Sequence, residues 1–159
     1  MFLTVLCIGG SDASGCSGIQ ADARAVHALK THAATVVTAI TAQNTQTFDR
    51  VEPVDTAMVE AQLESVFGDL DVRAVTIGML GSAENARAVA KHLSRRKLVC
   101  VVDPLARSST GGVLADDSTI AAVVREIVTH ATLVTPNAHE ESLLANLHVR
   151  EHVEAELRV

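Results

Sequence analysis

The chain has 159 residues, of which 48% are hydrophobic and 20% are charged, and its formal net charge is −6. This composition predicts a globular domain with a substantial core and excludes a disordered or fibrous chain. An acidic chain without tryptophan or tyrosine is a poor candidate for binding nucleic acid or an anionic membrane, and no apolar stretch approaches the roughly 20 residues of a membrane helix. The three cysteines, two of them in apolar runs, indicate reduced thiols and a cytoplasmic protein.

Short runs rich in β-branched residues alternate with longer amphipathic segments along the chain. The short runs predict five strands, over Leu3–Ile8, Ala34–Ile40, Ala74–Ile77, Leu98–Val102 and Thr132–Val134. The longer segments predict helices over Gly18–His32, Asp55–Leu70, Ala83–Arg95, Ser118–His130 and Asn137–Ala145, and a tail helix around Val149–Leu157. Strands that are apolar without alternation are typical of a parallel sheet covered on both faces. We therefore expect one α/β domain over residues 1–159, with an open, doubly wound, mostly parallel sheet flanked by helices.

Glycines and side-chain amides follow the first three predicted strands, at the edge where open α/β sheets bind ligands. Gly9–Gly18 is a glycine-rich loop before a helix, which suits close approach to a ligand, although a tight turn explains the same glycines. The pair Gln43-Asn44 presents amide donors and acceptors suited to a heterocycle, or forms a turn. Gly78-Met79 provides an adaptable apolar wall, or a methionine of the core.

Three oxygen-bearing side chains follow the last two predicted strands. Asp103 begins a turn before proline, or holds a water on Mg²⁺. Asn137 and Glu140 have the spacing of a helix capping box, worth about 1 kcal/mol. The same spacing directs two oxygen ligands towards hydrated Mg²⁺, but from the spacing alone the cap is favoured.

The segment His148–His152 matches the His-x-x-Glu-His pattern of inverted zinc peptidases. The match is short, lies on the predicted tail helix, and has no room after it for a distant third ligand. A solvated, charged helix is therefore favoured over a zinc site.

Taken together, six segments in register resemble the hydroxymethylpyrimidine and phosphomethylpyrimidine kinases of thiamine biosynthesis, which belong to the ribokinase-like superfamily. The segments are Gly9–Asp22, Val37–Thr45, Gln62–Asp69, Thr76–Leu80, Val101–Leu105 and Leu133–Glu140. The resemblance implies a ribokinase-like fold and transfer of a phosphoryl group from ATP to the hydroxymethyl group of the pyrimidine, and then to the resulting monophosphate. It also implies a cytoplasmic enzyme, and a homodimer would be usual for the family.

The resemblance also implies roles for particular side chains. The glycine-rich loop would close on the pyrimidine and bring Gly10 and Ser17 to the substrate. Gln43 would hydrogen-bond to the aminopyrimidine ring, in a pocket that is lined by Thr41, Met79 and Leu105. Asp103 would lie near the ATP phosphates, and Asn137 and Glu140 would organise those phosphates and Mg²⁺, the latter through water.

The sequence departs from the family at its carboxyl end. Family members continue to a second glycine-rich helix start of Gly-Thr-Gly-Cys type, which supplies the anion hole for the transferred phosphoryl group. No such element occurs here, so we assign no catalytic residue and expect a fold truncated relative to the family. Three hypotheses follow: a pyrimidine kinase, an inactive remnant or half of a split protein that at most binds the pyrimidine, and a related kinase for a pyridoxal-type vitamin.

Overall fold

A computed structural model describes residues 3–107 and 112–145 of the chain. Its strands are β1 (Thr4–Asp12), β2 (His32–Gln43), β3 (Phe48–Pro53), β4 (Val72–Ile77), β5 (Val99–Val102) and β6 (Leu133–Val134). Its helices are α1 (Gly18–Ala28), α2 (Thr56–Asp69), α3 (Ala83–Leu93), α4 (Asp117–Ala122) and α5 (138–145). Helix α4 continues as a π-helical turn over Val123–Ile127 and a 3-10 turn over Val128–His130.

The six strands form one sheet in the order β3-β2-β1-β4-β5-β6. Every neighbouring pair is parallel except β2 and β3, which are antiparallel. Parallel strands place their carboxyl ends at one edge, and the chain order reverses at β1, so β1 and its neighbours border the crevice where such sheets bind ligands. The predicted open, mostly parallel α/β sheet is confirmed.

Helices cover both faces of the sheet. Alternate side chains of a strand point to opposite faces, and in β1 the buried Leu6 and Ile8 belong to the main core that α2 and α3 complete. Gly9 lies on the opposite face, where its nearest side chain is Ile19 of α1. Helix α1 packs against β1 and β2, whereas α2, α3 and α4 pack against one another in sequence. This arrangement confirms the doubly wound prediction.

A buried asparagine ties the second strand to the chain segments that surround its carboxyl end. Asn85 of α3 is fully buried, and its Nδ2 donates to the carbonyl oxygens of Thr38, Val54 and Leu80 at 3.0–3.2 Å. Its Oδ1 accepts a hydrogen bond from Thr56 Oγ1 at 2.8 Å. The two hydrogens of Nδ2 are shared among the three carbonyls, and the oxygen of Thr38 also accepts from the N–H of Val54 at 2.9 Å. One side chain therefore helps to satisfy buried backbone groups from three segments of the chain.

Several predicted boundaries shift in the structure; those of α1 and β1 have identifiable physical reasons, as does one strand that was missed. Helix α1 ends at Ala28 and not at His32, because Lys30 adopts a left-handed conformation with φ of 59° and β2 begins two residues later. Strand β1 continues beyond Ile8 to Asp12, because residues there extend its parallel ladder with β2. Strand β3 was not predicted at all, since an exposed edge strand lacks a continuous apolar run.

The helix predictions over Asp55–Leu70, Ala83–Arg95 and Asn137–Ala145 agree with the structure apart from shifts at their ends. The predicted helix over Ser118–His130 is α-helical only in α4 and continues as the π-helical and 3-10 turns. The predicted tail helix and the His148–His152 motif lie outside the described residues. Within the part of the chain that is described, no helix combines the length and apolar character needed to cross a membrane.

Candidate functional site

A cavity of about 570 Å³ opens where β1, β2, β4 and β5 end, and its volume suits a small ligand. All six residues predicted to contact a substrate line it, and so does Asp103: the six are Gly10, Ser17, Thr41, Gln43, Met79 and Leu105. The structure therefore brings together side chains from four separate strand ends. Their contact with a substrate stays a prediction.

The buried carboxylate of Asp12 organises the loop 13–17 at the mouth of the cavity. Asp12 accepts hydrogen bonds from the backbone N–H and hydroxyl of both Ser14 and Ser17, at 2.8–2.9 Å. Burial works against the charged form of Asp12, but the donors outweigh it and lower the pKa of the carboxyl to about 2. Asp12 is therefore an anion at neutral pH.

The amide of Gln43 connects this loop to the last residue of β2. Its Nε2 donates to Ser17 Oγ at 3.2 Å, while Thr41 Oγ1 donates to the backbone oxygen of Ser11 at 3.0 Å. Asn44 instead forms the turn into β3, because its Oδ1 accepts from two backbone N–H groups of that turn. The two readings of Gln43-Asn44 thus divide between the two residues, with the glutamine at the cavity and the asparagine in the turn.

The apolar wall of the cavity depends on glycine at two positions of the β1–α1 region. Any side chain at Gly10 would collide with the terminal methyl of Met79, which packs directly over this residue. Gly18 begins α1 with φ of +60° and lies against the backbone oxygen of Gly10. The glycines therefore serve close packing around the cavity as well as the turn itself.

The opposite side of the cavity is acidic. Burial, and after it the charges of Glu140 and Asp22, raise the pKa of Asp103 to about 6. Burial also raises the pKa of Asp22, which lines the cavity from α1. A divalent cation would relieve this negative charge, and Asp103 and Asp22 offer carboxylate oxygens of the kind that Mg²⁺ binds together with water, while Arg107 contributes a positive charge to the same cavity. No cluster of three metal-ligating side chains was found among the described residues.

Asn137 and Glu140 do not line the cavity and form a complete capping box at the start of α5. Asn137 Oδ1 accepts from the backbone N–H of His139 and Glu140 at 3.0 Å, and Glu140 Oε2 accepts from the N–H of Asn137 at 2.9 Å. The carboxylate of Glu140 is buried, and its Oε1 accepts from Ala106 at 3.4 Å. The capping function is present, and a role toward Mg²⁺ through water stays a prediction.

Sequence reasoning missed Asp12 and Asp22 as members of the site. Both lie inside Gly9–Asp22, the first segment that resembles the family. No spacing rule distinguishes an aspartate that accepts hydrogen bonds from a loop from one that only begins a turn. Asp22 follows Gly18 by four residues, which places both on one side of α1. That helical spacing was the available signal for Asp22.

An α/β fold with a small-molecule cavity at the carboxyl ends of its strands is the architecture of many kinases and other ligand-binding enzymes. The family model described as phosphomethylpyrimidine kinase matches residues 12–158. The chain therefore belongs to the phosphomethylpyrimidine kinase family.

Individual relatives agree with this assignment. The chain is 43% identical to a hydroxymethylpyrimidine/phosphomethylpyrimidine kinase of Rhizobium meliloti, over 91% of this chain and 54% of the relative. Its fold is similar to the crystal structure of phosphomethylpyrimidine kinase from Clostridium difficile 630, with a TM-score of 0.83, 35% identity, and coverage of 91% of this chain and 63% of that one.

A second similar structure comes from a related vitamin kinase. It is the pyridoxal kinase from Staphylococcus aureus in complex with AMP-PCP and pyridoxal, with a TM-score of 0.78, 29% identity, and coverage of 92% of this chain and 52% of that one. The chain spans about half the length of the curated relatives it matches, with 54% and 56% for two of them.

Proposed function

We propose that this chain acts in the ATP-dependent phosphorylation of 4-amino-5-hydroxymethyl-2-methylpyrimidine and of its monophosphate, in thiamine biosynthesis. The observation that carries the proposal is that one cavity is lined by hydrogen-bonding side chains (Ser17, Thr41, Gln43), apolar side chains (Met79, Leu105) and carboxylates (Asp22, Asp103). An aminopyrimidine has polar edges and apolar faces, so it complements the first two. In the reaction, the hydroxymethyl oxygen forms a bond to the γ-phosphorus of ATP, the bond to the β-phosphate oxygen breaks, and the hydroxyl proton is released.

On the hydrogen-bonding side, Gln43 would contact the pyrimidine edge, with Ser17 and Thr41 beside it. The apolar ring faces would lie against Met79 and Leu105, which line the cavity, and close approach would be possible because Gly10 has no side chain.

The acidic side would hold Mg²⁺ and the ATP phosphates. Asp103 is the cavity-lining carboxylate there, and the raised pKa that results from its burial and acidic neighbours would fall on binding a cation. Mg²⁺ neutralises charge on the transferring phosphoryl group, which is the main catalytic requirement of this chemistry. Asn137 and Glu140 would act behind Asp103, through water. We assign no residue as the catalytic base.

A pyridoxal-type kinase is the second candidate, and the specific observation in its favour is the structural similarity to the pyridoxal kinase described above. Pyridoxal presents a ring hydroxyl and an aldehyde where the pyrimidine presents an amine, so substrate competition separates the two. A chain that binds the pyrimidine without turnover is the third candidate. A homodimer and a cytoplasmic location stay predictions for all three.

The decisive experiment combines turnover with binding. The purified chain, shown to be folded, is incubated with the hydroxymethylpyrimidine or pyridoxal and Mg-ATP, and the products are identified by mass spectrometry. A phosphorylated pyrimidine supports the proposal, phosphorylated pyridoxal supports the second candidate, and binding without product supports the third.

The matched variant is Gln43→Ala. We expect it to abolish pyrimidine binding while leaving the unfolding transition in place, because Gln43 is only partly buried at a strand end. Unchanged pyrimidine affinity in this variant contradicts the assignment of the hydrogen-bonding side.

A further inference from the structure

Three side chains that line the cavity form a hydrogen-bonded relay: Asp12, Ser17 and Gln43. We propose that Asp12, acting through Ser17, holds the Gln43 amide in one orientation and thereby makes the cavity select an amino-substituted ring over the corresponding oxo-substituted ring. Asp12 and Ser17 are then positioning residues for specificity. The inference rests on the proposed function, because it concerns the same ligand edge.

The direction of the relay follows from the available hydrogens. Asp12 is a carboxylate that only accepts, and Ser17 Oγ donates to its Oδ2 at 2.9 Å. A serine hydroxyl has a single hydrogen, so Ser17 Oγ can only accept from its other neighbour. Gln43 meets this requirement by turning Nε2 toward Ser17, at 3.2 Å. The reversed amide would set two acceptor oxygens against each other.

At the start of α1, the Ser17 hydroxyl bonds Asp12 and does not cap the helix. Ser17 is the N-cap of α1 and Gln20 follows three residues later, which is the capping-box spacing. The Ser17 side chain nevertheless makes no capping hydrogen bond. Gln20 turns away as well, accepting from Asp12 N at 3.0 Å and donating to Ser11 Oγ at 2.7 Å. Helix α1 therefore begins without its usual side-chain cap, and the hydroxyl serves the relay.

The fixed orientation assigns each end of the amide one character: Oε1 only accepts, and the second hydrogen of Nε2, which Ser17 does not use, only donates. An aminopyrimidine edge offers the complementary pair, an exocyclic amine that donates beside a ring nitrogen that accepts. The oxo ring offers the reverse pair, a carbonyl that accepts beside a ring N–H that donates. A cavity that presents a fixed hydrogen-bond partner rejects the mismatched ligand far better than one whose amide is free to rotate.

Ser17→Ala tests the relay, and Ser14→Ala is its matched control. Both serines donate to Asp12 through backbone and hydroxyl, but of the two only Ser17 accepts a hydrogen bond from Gln43. Calorimetry measures the affinity of each protein for 4-amino-5-hydroxymethyl-2-methylpyrimidine and for its 4-oxo counterpart. We expect the ratio of the two affinities to fall about tenfold in Ser17→Ala, the equivalent of one lost hydrogen bond. Ser14→Ala should retain the wild-type ratio even if both affinities weaken.

A ligand-free measurement keeps the inference separate from the proposed function. In ¹⁵N spectra, the side-chain NH₂ signal of Gln43 is identified by its loss in Gln43→Leu. The hydrogens of this group should exchange with solvent faster in Ser17→Ala than in wild type or Ser14→Ala. Equal exchange in all three proteins, or an affinity ratio that changes equally in both serine variants, overturns the relay. If the wild type binds neither pyrimidine, the proposed function and the selection of a ligand fail together, while the amide signal still decides whether the relay exists.

Discussion

Replacing Asp103 by asparagine should stabilise the ligand-free protein at neutral pH, although the residue lies in the candidate site. Burial first, and then the charges of Glu140 and Asp22, raise the pKa of Asp103 from its ordinary value of 3.8 to about 6. The folded state therefore holds this proton more tightly than the unfolded state, so wild-type stability falls as the pH rises from about 4 through 6. The full shift corresponds to about 3 kcal/mol. Because the side chain is only partly buried, solvent screening reduces the expected gain in Asp103→Asn to about 1–2 kcal/mol at pH 7.5.

Urea unfolding of both proteins between pH 4 and 8, in metal-free buffer, measures this difference. The free energies of unfolding should coincide near pH 4, where Asp103 is protonated in the wild type, and separate above pH 6. Asp116→Asn provides a control of opposite sign, because hydrogen bonds from Thr119 and Ser118 lower the pKa of Asp116. A variant that is less stable than wild type at pH 7.5, or a difference independent of pH, would refute the electrostatic argument.

Three further predictions address the fold, the cavity wall and the loop. Asn85→Leu should cost about 3–5 kcal/mol of unfolding free energy, because it leaves buried carbonyls unpaired; a urea midpoint near that of wild type contradicts this. Gly10→Ala should change the free energy of unfolding by no more than about 1 kcal/mol, because the atom it displaces is the flexible end of Met79. The same variant should weaken pyrimidine binding about tenfold or more. Urea unfolding checks the first expectation and calorimetry the second. A maleimide should label native protein once, at exposed Cys16, since the other two cysteines are buried with pKa values of about 11. Saturating pyrimidine should slow that labelling, and labelling at an unchanged rate contradicts the position of Cys16 at the cavity.

Local patterns in the sequence were sufficient for the fold class. Apolar runs such as Leu3–Ile8, in which Leu6, Cys7 and Ile8 are fully buried, alternate with amphipathic segments such as Ala83–Leu93. This order identifies a covered parallel sheet, because burial on both faces demands continuous apolarity. The same pattern failed for Phe48–Pro53, because an edge strand forms by pairing with a distant neighbour and requires little burial of its own.

The candidate site was likewise predictable from the sequence only in part. The sequence alone determined which residue types follow each strand, and parallel topology then required those ends to meet, which is why Gln43, Met79 and Asp103 were all expected at one edge. Only the tertiary structure decided what each side chain does there. The raised pKa of Asp103, the loop held by Asp12 and the engaged hydroxyl of Ser17 depend on contacts between residues from different elements or on the exact fold of a loop. Hydrogen bonding and burial are properties of distances in space, and spacing along the chain does not specify them.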